Sequence, residues 1–360
     1  MNAVAYNMNG QTGQVTYPYL AGSDLLAGYA ASGSTGAVLS VTRTYEPARN
    51  LLAEIRNEMG TNVISCFAYT NDAAGRRVGR VDFGLAFGVS DPMTNIFGYN
   101  ARSELTSALI STGTYTYAYD PIGNRTAATN NGEAWQYQAN ALNQYTQITD
   151  GVTIQPGYDL DGNMTNDGRF AFSWDAENRL ISAVPLDITN GAHKVEFDYD
   201  YQSRRIAKRE YSWSTNAEWQ LTGDTRFLWN GWLMLCEFPG GTATAPSVTN
   251  WYVNGPDLSG SLGGAGGIGG LLAALLGTNA VLYTFDGNGN VSELINSANG
   301  GIDAHYEYSA YGETVARSGP LADANPIRFS TKYLDELLGV YLSLIHISEP
   351  TRLLSISYAV

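Results

Sequence analysis

Apolar and polar residues alternate along most of this chain, and the alternating runs end in short polar segments. Tyr115, Tyr117 and Tyr119 place three aromatic rings on one face of such a run. A second run has the same spacing at four positions: Val195, Phe197, Tyr199 and Tyr201. A period of two is that of a β-strand. The pattern therefore predicts an all-β protein built from successive strands.

The polar segments share a motif of an aromatic residue, an acid, two variable residues and often a glycine. The clearest copies are Tyr119–Arg125, Tyr158–Met164, Trp174–Leu180 and Phe285–Val291. Diverged copies start at Tyr45, Asn71, Tyr99, Tyr199 and Tyr308. The acid can accept backbone N–H groups, and the fifth position suits a residue with positive φ. Each copy therefore predicts strand, turn, strand, repeated at roughly 20 residues.

Hairpins in series predict one extended antiparallel array that curls to protect its edges, with strands of about 7 to 8 residues. Asn230-Gly231 predicts a further two-residue hairpin. Arginines just after the turns can stack on rings and pair with carboxylates, which predicts struts across the strands: Arg76, Arg125, Arg179 and Arg204. The aromatic, acidic and glycine positions are expected to be structural: Tyr99, Tyr119, Asp120, Gly123, Tyr158, Asp159, Gly162, Trp174, Asp175, Tyr199, Asp200, Phe285, Asp286 and Gly289.

The composition limits which partners and which kinds of site the chain can have. A net charge of −14 argues against nucleic acid as a partner, because phosphates require Lys and Arg. Cys66 and Cys236 could pair, but two cysteines are neither a disulfide framework nor a metal motif. The uncharged stretch 258–285 is rich in glycine, which favours a hairpin or loop over a membrane span. The N-terminal residues lack the pattern of a signal peptide.

Three kinds of candidate site have little support in the sequence. Gly264–Gly269 matches a dinucleotide fingerprint, but glycine is dense there and no βαβ unit surrounds it. Asp159–Asn163 and Asp286–Asn290 resemble the start of a calcium loop; the first lacks the required Gly and Glu, and turn formation explains both. The histidines are isolated: His193, His305 and His346. We therefore expect no cofactor, no metal and no enzyme, while the aromatic faces keep carbohydrate binding open.

The repeat series resembles the YD repeats of bacterial Rhs proteins, which occur also in wall-associated proteins, insecticidal toxin complexes and animal teneurins. The last third resembles the Rhs repeat-associated core, and the last of its motifs includes Arg328. The segments that carry this second resemblance are Trp229–Trp232, Asp257–Gly270, Asp286–Asn290 and Asn325–Tyr333. The likeness covers about residues 15–341. It implies a hollow β shell that encloses a C-terminal toxic polypeptide.

On this resemblance the chain divides into a YD-repeat array, 1–222, and an incomplete Rhs repeat-associated core, 223–341, with a Gly-rich segment at 258–277. Residues 342–360 read like translated adapter sequence and are expected to be non-native. The family's self-cleavage region is expected after Tyr341, so no catalytic residue is carried over.

The expected function is a non-enzymatic scaffold, part of an Rhs-type shell that encloses and delivers a C-terminal polymorphic toxin. The expected partner is that toxin polypeptide, with secretion machinery or surface glycans as further candidates and no nucleic acid. The expected location is secreted or at the bacterial cell surface. The alternative is a cell-surface adhesion or carbohydrate-binding module.

Overall fold

A computed structural model describes residues 2–33, 38–88, 92–110, 113–216, 218–241 and 247–342, together with the backbone of Ser348–Pro350. Apart from Leu342 and that short strand, the segment 342–360 lies outside the described residues. Its expected non-native origin therefore stays a prediction.

The described residues form β-strands joined by turns, with two 3-10 helices, Leu85–Phe87 and Phe329–Thr331, and no α-helix in that part of the chain. The first nine strands are β1 (Ala3–Met8), β2 (Gln11–Thr16), β3 (Gly28–Ser32), β4 (Val38–Tyr45), β5 (Leu52–Met59), β6 (Asn62–Asn71), β7 (Arg77–Phe83), β8 (Met93–Tyr99) and β9 (Leu105–Ile110).

The next strands are β10 (Gly113–Tyr119), β11 (Arg125–Asn130), β12 (Glu133–Ala139), β13 (Tyr145–Thr149), β14 (Thr153–Ile154), β15 (Gly157–Tyr158), β16 (Met164–Asn166), β17 (Phe170–Trp174), β18 (Leu180–Pro185), β19 (His193–Tyr199), β20 (Arg205–Trp213), β21 (Trp219–Asn230) and β22 (Leu233–Pro239). The last are β23 (Asn250–Asn254), β24 (Leu271–Leu276), β25 (Asn279–Phe285), β26 (Val291–Asn296), β27 (Ile302–Tyr308), β28 (Thr314–Ser318), β29 (Leu334–Asp335), β30 (Val340–Leu342) and β31 (Ser348–Pro350).

The chain divides into two compact units. The first contains the described residues of Met1–Gly113 and Asn250–Leu334, and the second those of Thr114–Thr249 and Asp335–Ser357. Consecutive strands pair antiparallel in chain order: β1 to β9 and β23 to β28 in the first unit, and β10 to β14 and β15 to β22 in the second. The predicted all-β antiparallel fold is therefore confirmed. The division of the sequence after residue 222 rests on family motifs and stays a prediction.

Two details of the sequence interpretation are wrong. Strand lengths are not uniform, since β15 has 2 residues and β21 has 12. Pro156, which offers no backbone N–H, interrupts the run just before β15. Tyr201 does not share the face of Phe197, because β19 ends at Tyr199 and Tyr201 lies in the following turn with 89% of its surface exposed.

The Asn230-Gly231 hairpin is confirmed, one position later than the usual register. Asn230 and Leu233 are paired across the end of β21 and β22, so the two loop residues are Gly231 and Trp232. Gly231 has a φ of 55° there, a conformation that glycine adopts without a side-chain clash.

The core of the first unit lies where the amino-terminal strands pack against β24, β25 and β26. All six residues of β24 are buried, which explains why Leu271–Leu276 is apolar without alternation. Leu282 and Ile295 belong to the same cluster as Leu39 and Ile55. The hairpin expected in the uncharged stretch is therefore confirmed, as β24 and β25. Among the described residues, no helix has the length and hydrophobicity to span a bilayer.

The second unit has its own small core, completed by a late segment of the chain. Leu338 and Val340 pack against Leu180, Val195 and Phe197. Arg169 anchors this segment, because its guanidinium donates to the carbonyl oxygen of Leu338 at 3.0 Å.

The two cysteines are free, buried thiols. Cys66 lies on β6, where burial raises the pKa of its thiol to about 12. A thiol with so high a pKa carries little thiolate at neutral pH and is a poor nucleophile.

Substitution Leu282→Ala should lower the free energy of unfolding by about 2 to 5 kcal/mol, since the side chain is fully buried and its removal leaves a cavity. Urea denaturation followed by tryptophan fluorescence measures the change. The control is Leu85→Ala in the same unit, where the side chain is 61% exposed and a change within about 0.5 kcal/mol is expected. Equal effects of the two variants would contradict this placement of the core.

Candidate functional site

Each repeat aspartate closes its turn with one carboxylate oxygen. Asp120 Oδ1 accepts the backbone N–H of Ile122 at 3.0 Å and that of Asn124 at 2.9 Å. The N–H of Asp120 donates to the carbonyl of Asn124 at 2.9 Å, and Gly123 N–H donates to the carbonyl of Asp120 at 3.2 Å. The same carboxylate pattern recurs at Asp72, Asp159, Asp175, Asp200 and Asp286.

An amide oxygen can replace the carboxylate in this role. Asn140 Oδ1 accepts the N–H of Leu142 at 2.9 Å and that of Gln144 at 3.1 Å, and Asn100 does the same in its own turn. The acceptor atom is therefore the requirement, and the negative charge is a secondary gain.

The hydrogen bond from the Asn163 side-chain amide, reinforced by backbone N–H groups of the turn, holds the pKa of Asp159 below its ordinary value, and desolvation opposes it. Each of these donors stabilises the ionised form.

The position before the last turn residue has positive φ in every copy, and it is not always glycine. φ is 99° at Gly123, 59° at Asn178 and 62° at Ser203. Such a conformation is costly for most residues with a side chain, although Asn tolerates it. Gly162 and Gly289 occupy the same position with φ of 90° and 73°.

In the six turns closed by an aspartate, the residue after this position, which we call the latch residue, joins its own turn to a neighbouring segment. That segment is the next turn along the edge except at Asn290, which accepts the N–H of Ser330. Arg204 Nε donates to Asp200 Oδ2 at 2.7 Å, and its terminal nitrogen donates to the carbonyl of Gly231 at 2.8 Å. Arg179 likewise bonds Asp175 at 2.7 Å and the carbonyl of Asp200 at 3.0 Å. The six latch residues are Arg76, Asn124, Asn163, Arg179, Arg204 and Asn290.

Asparagine serves as a latch with shorter reach. Asn163 donates to Asp159 at 3.0 Å and to Asn178 Oδ1, in the next turn, at 2.9 Å. Asn290 donates to Asp286 at 2.9 Å, while its own Oδ1 accepts the N–H of Ser330 at 2.8 Å.

The expected stacking on rings is confirmed for Arg76 and Arg179, whose guanidinium groups lie over the rings of Tyr99 and Tyr199 at 5.2 and 5.3 Å. The expected pairs with carboxylates form in all three arginines of the turns, Arg76, Arg179 and Arg204. Their side chains leave from the end of a turn rather than from a strand face, so they reach along the edge to the next turn. Arg125 follows a latch residue and lies on β11. Its guanidinium lies over the rings of Tyr117 and Tyr137 at 5.0 and 5.8 Å, as a strut would.

The aromatic residue of a repeat makes a second tie, to the backbone just after the preceding latch residue. Tyr199 hydroxyl donates to the carbonyl of Leu180 at 2.8 Å, and the Trp174 indole N–H donates to that of Met164 at 2.7 Å. The same bond joins Tyr99 to Arg77, Tyr308 to Val291 and Trp229 to Arg205.

The other aromatic positions of the repeat, Tyr119, Tyr158 and Phe285, lie at corresponding points of the strand pairing. Each follows a shift of register, where the partner strand has one extra residue. Phe285 has no polar group and is buried, with its ring stacked on Tyr283 at 6.4 Å. Arg328 lies apart from these turns. It is buried, and its guanidinium donates to the carbonyls of Asn325 and Ala322.

These ties join the turns of the second unit into two runs, one from 120–124 to 140–144 and one from 159–163 to Gly231. Asn124 reaches Asn143 at 3.3 Å, and the later turns are tied by Asn163, Arg179 and Arg204. Only the link from 140–144 to 159–163 is without a latch; there a Cβ on Gly162 would lie 3.6 Å from Gln144 Nε2. The tips of the row expose large apolar side chains: Ile122, Leu142, Leu160 and Tyr201.

The first unit also contains a cluster of buried polar side chains that no sequence pattern indicated. Glu293 is fully buried, and its Oε2 accepts the hydroxyls of Ser65 and Thr284, each at 2.6 Å. His305 Nδ1 lies 3.1 Å from Glu293 Oε1, and its Nε2 lies 3.7 Å from Glu307 Oε1. The hydroxyls bond the carboxylate rather than the imidazole, so the histidine is not placed to activate either one as a nucleophile.

The charges of this cluster favour an ion pair. Burial alone would lower the pKa of His305, but its bonds to Glu293 and Glu307 outweigh that effect and raise the pKa to about 9. Burial opposes ionisation of Glu293, but the bonds from His305, Ser65 and Thr284 lower its pKa nevertheless. Sequence reasoning missed this pair because its members lie in different strands, β26 and β27.

The repeat region matches a known protein family. The model of the Teneurin YD-shell family matches residues 34–215, which is half of the chain. The tRNA3(Ser)-specific nuclease WapA of Bacillus spizizenii is 27% identical over 260 residues, covering 70% of this chain and 10% of that protein. The double-stranded DNA deaminase toxin A of Burkholderia cenocepacia is 24% identical over 289 residues, covering 71% and 20%. The chain thus spans a tenth to a fifth of these relatives.

Solved structures share the fold. The crystal structure of TcdB2-TccC3-Cdc42 superposes with a TM-score of 0.63 at 14% identity, covering 92% of this chain and 18% of the other. The Tc holotoxin pore of Photorhabdus luminescens gives a TM-score of 0.61 at 15% identity, again over 92% and 18%.

Substitution Asp120→Ala should lower the free energy of unfolding by about 1 kcal/mol, because two backbone N–H groups lose their acceptor. Asp120→Asn should lose less than half as much, since its amide oxygen can act as Asn140 does. Urea midpoints of the two variants, compared with Leu142→Ala at an exposed turn tip, measure the difference. Equal losses for Ala and Asn would show that charge, not the acceptor, closes the turn.

The stability of the first unit should fall as pH rises from about 6.5 to 9. The pKa of His305 is raised in the folded state, so its contribution is complete below the unfolded value near 6.5 and is lost as pH passes the folded value. Urea midpoints at pH 6 and 8 should differ less in His305→Gln than in the unaltered chain. The control is His193→Gln, at an exposed position. An unchanged pH slope in His305→Gln would contradict the assignment.

Proposed function

Because the chain belongs to the Teneurin YD-shell family, we propose that it forms part of a shell wall that encloses and delivers a C-terminal toxin in the intact protein. The chain then acts as a scaffold and performs no catalysis itself. The single observation that carries this proposal is the row of coupled turns. A wall must stay closed between its hairpins, and here Asn124, Asn163, Arg179 and Arg204 tie neighbouring turns in addition to the strand pairing.

The similar proteins support the same role. Two are named for a nuclease and a deaminase toxin, and in both the region matched by this chain is a small share of the whole. A similar stretch of sequence in proteins of different named activities is what a common carrier would give.

The shell works by exclusion. An enclosed polypeptide is inaccessible to proteases and to the cytosol of the producing cell until the wall opens. Secretion or display at the cell surface follows from this role, since a delivered toxin acts on another cell. Export machinery and the toxin polypeptide are the partners that the proposal requires.

Limited proteolysis of the full-length natural protein that contains this chain tests the proposal. We expect the C-terminal segment to resist a protease that digests the same segment rapidly when it is expressed alone. The double variant Arg179→Ala with Arg204→Ala opens two ties of the row and should speed digestion of that segment by about tenfold or more. The control is Tyr201→Ala, which removes an exposed aromatic tip and no tie.

A C-terminal segment digested equally fast inside the full-length protein and alone would overturn the shell proposal. The same result combined with tight binding of the full-length protein to intact cells would instead establish the adhesion module.

A further inference from the structure

Strand β1 pairs with β2 along one of its two edges, and in the described part of the chain its other edge has no partner strand. The pairing with β2 runs from Ala3 opposite Thr16 to Met8 opposite Gln11. A strand edge without a partner presents a row of backbone N–H and C=O groups that can pair with another strand. The outer edge of β1 is therefore a candidate surface for association.

The register with β2 determines which backbone groups of β1 point away from it. The carbonyl oxygen of Asn2 accepts the N–H of Tyr17 at 3.0 Å, so the backbone groups of Asn2 point towards β2. Successive residues of an antiparallel strand direct these groups alternately to one side and to the other. The groups that point outwards are therefore the N–H and C=O of Ala3, Ala5 and Asn7.

The side chains of β1 alternate between two faces as well. Val4 and Tyr6 are half-buried and pack against the core of the first unit, whereas Ala3 and Ala5 are exposed. A strand added at this edge would extend the apolar layer of Val4 and Tyr6 only if its own apolar side chains lay on the same face. The edge therefore selects a partner strand by its alternation as well as by its backbone.

Strand β1 lacks the features by which exposed edges avoid pairing. Charged residues and prolines on an edge strand discourage association, and β1 contains neither. The other outermost strands are less suited to pairing, since β14 and β15 have 2 residues each and β28 carries Arg317. Because β1 is uncharged, two identical copies of it meet without electrostatic repulsion.

Two copies of β1 are complementary to each other in the antiparallel direction. When Ala5 lies opposite Ala5 of the second copy, Ala3 lies opposite Asn7, and every outward N–H faces an outward C=O. Each such pair exchanges two hydrogen bonds, so the interface contains about six. In the same register Val4 lies opposite Tyr6 of the second copy, which places the apolar side chains of both strands on one face. A shift by one residue would lose both matches.

We propose that β1 is a self-association surface, through which two copies of this chain pair edge to edge and antiparallel about a two-fold axis at Ala5. The contact uses the same groups of both copies, so it closes as a dimer and does not propagate. It is small, so association is weak and reversible. The inference concerns the edge of β1 and does not depend on the shell proposal.

The matched variants Ala5→Pro and Ala5→Ser test the pairing. Proline removes the N–H that bonds the second copy but spares the pairing with β2, because this N–H points away from β2. Serine keeps the N–H, and the side chain at this position is exposed. Sedimentation velocity of the full chain over about a hundredfold range of concentration measures the dimer fraction. Urea denaturation checks that both variants fold.

The unaltered chain and Ala5→Ser should dimerise with a Kd on the order of 100 µM or below, and Ala5→Pro should weaken the dimer about tenfold or more. A chain that stays monomeric at every concentration overturns the proposal. Equal dimerisation of Ala5→Pro and Ala5→Ser also overturns it, because the contact then lies elsewhere on the molecule.

Cysteine cross-linking tests the register without a proline. In Ala5→Cys the two new residues face each other with Cα atoms about 5.5 Å apart, which suits a disulfide. The control is Ala3→Cys, whose two copies lie about 14 Å apart because each stands opposite Asn7. The native thiols are buried and do not compete. Mild oxidation should link Ala5→Cys about tenfold faster than Ala3→Cys, and equal rates would overturn the proposed pairing.

Discussion

The turn closed by one aspartate oxygen is the element on which this structure depends. A carboxylate that accepts two N–H groups two and four residues ahead determines where a strand stops and where the next begins. Its second oxygen is then free to hold the latch residue, which brings Arg204 or Asn163 within reach of the neighbouring turn. Local capping and contact between hairpins are therefore consequences of a single side chain.

Polar groups stabilise this fold in two ways, at the edges of the turns and in buried pairs. In the second unit the polar ties run along the turn edge, where the side chains of Arg179 and Asp175 are 17% and 23% exposed. Partial exposure lets water screen such pairs, so their value is in fixing register and spacing more than in energy. In the first unit Glu293 and His305 are buried, and a buried pair is costly to break because one charge is left alone. The second unit has such a pair as well, since Lys208 lies 3.0 Å from the buried Asp335.

Much of this architecture can be predicted from the sequence. Period-two alternation and the acid–glycine turn give the strands, their antiparallel pairing and the hairpin at Gly231, because these depend on neighbours along the chain. Strand ends were less predictable: Tyr201 continues the alternation of Phe197 and Tyr199 yet lies in a turn. The latch position could have been found, since Arg or Asn stands four residues after each repeat aspartate. The Glu293–His305 pair and its bond to Ser65 could not, since they join strands whose packing no local pattern specifies.

The sequence distances that the contacts bridge imply an order of events during synthesis. The tie from Arg204 to Gly231 closes a segment of 27 residues, whereas Ser65 meets Glu293 across 228. At ribosomal speeds those 228 residues take on the order of ten to forty seconds to appear. During that interval the hairpins of the second unit can form one after another. Strands β5 and β6 still lack β24, β25 and β26, which will pack against them. The amino-terminal strands are thus made first but must wait for β24 to β26, and their apolar faces are the surface that a chaperone would meet on the nascent chain.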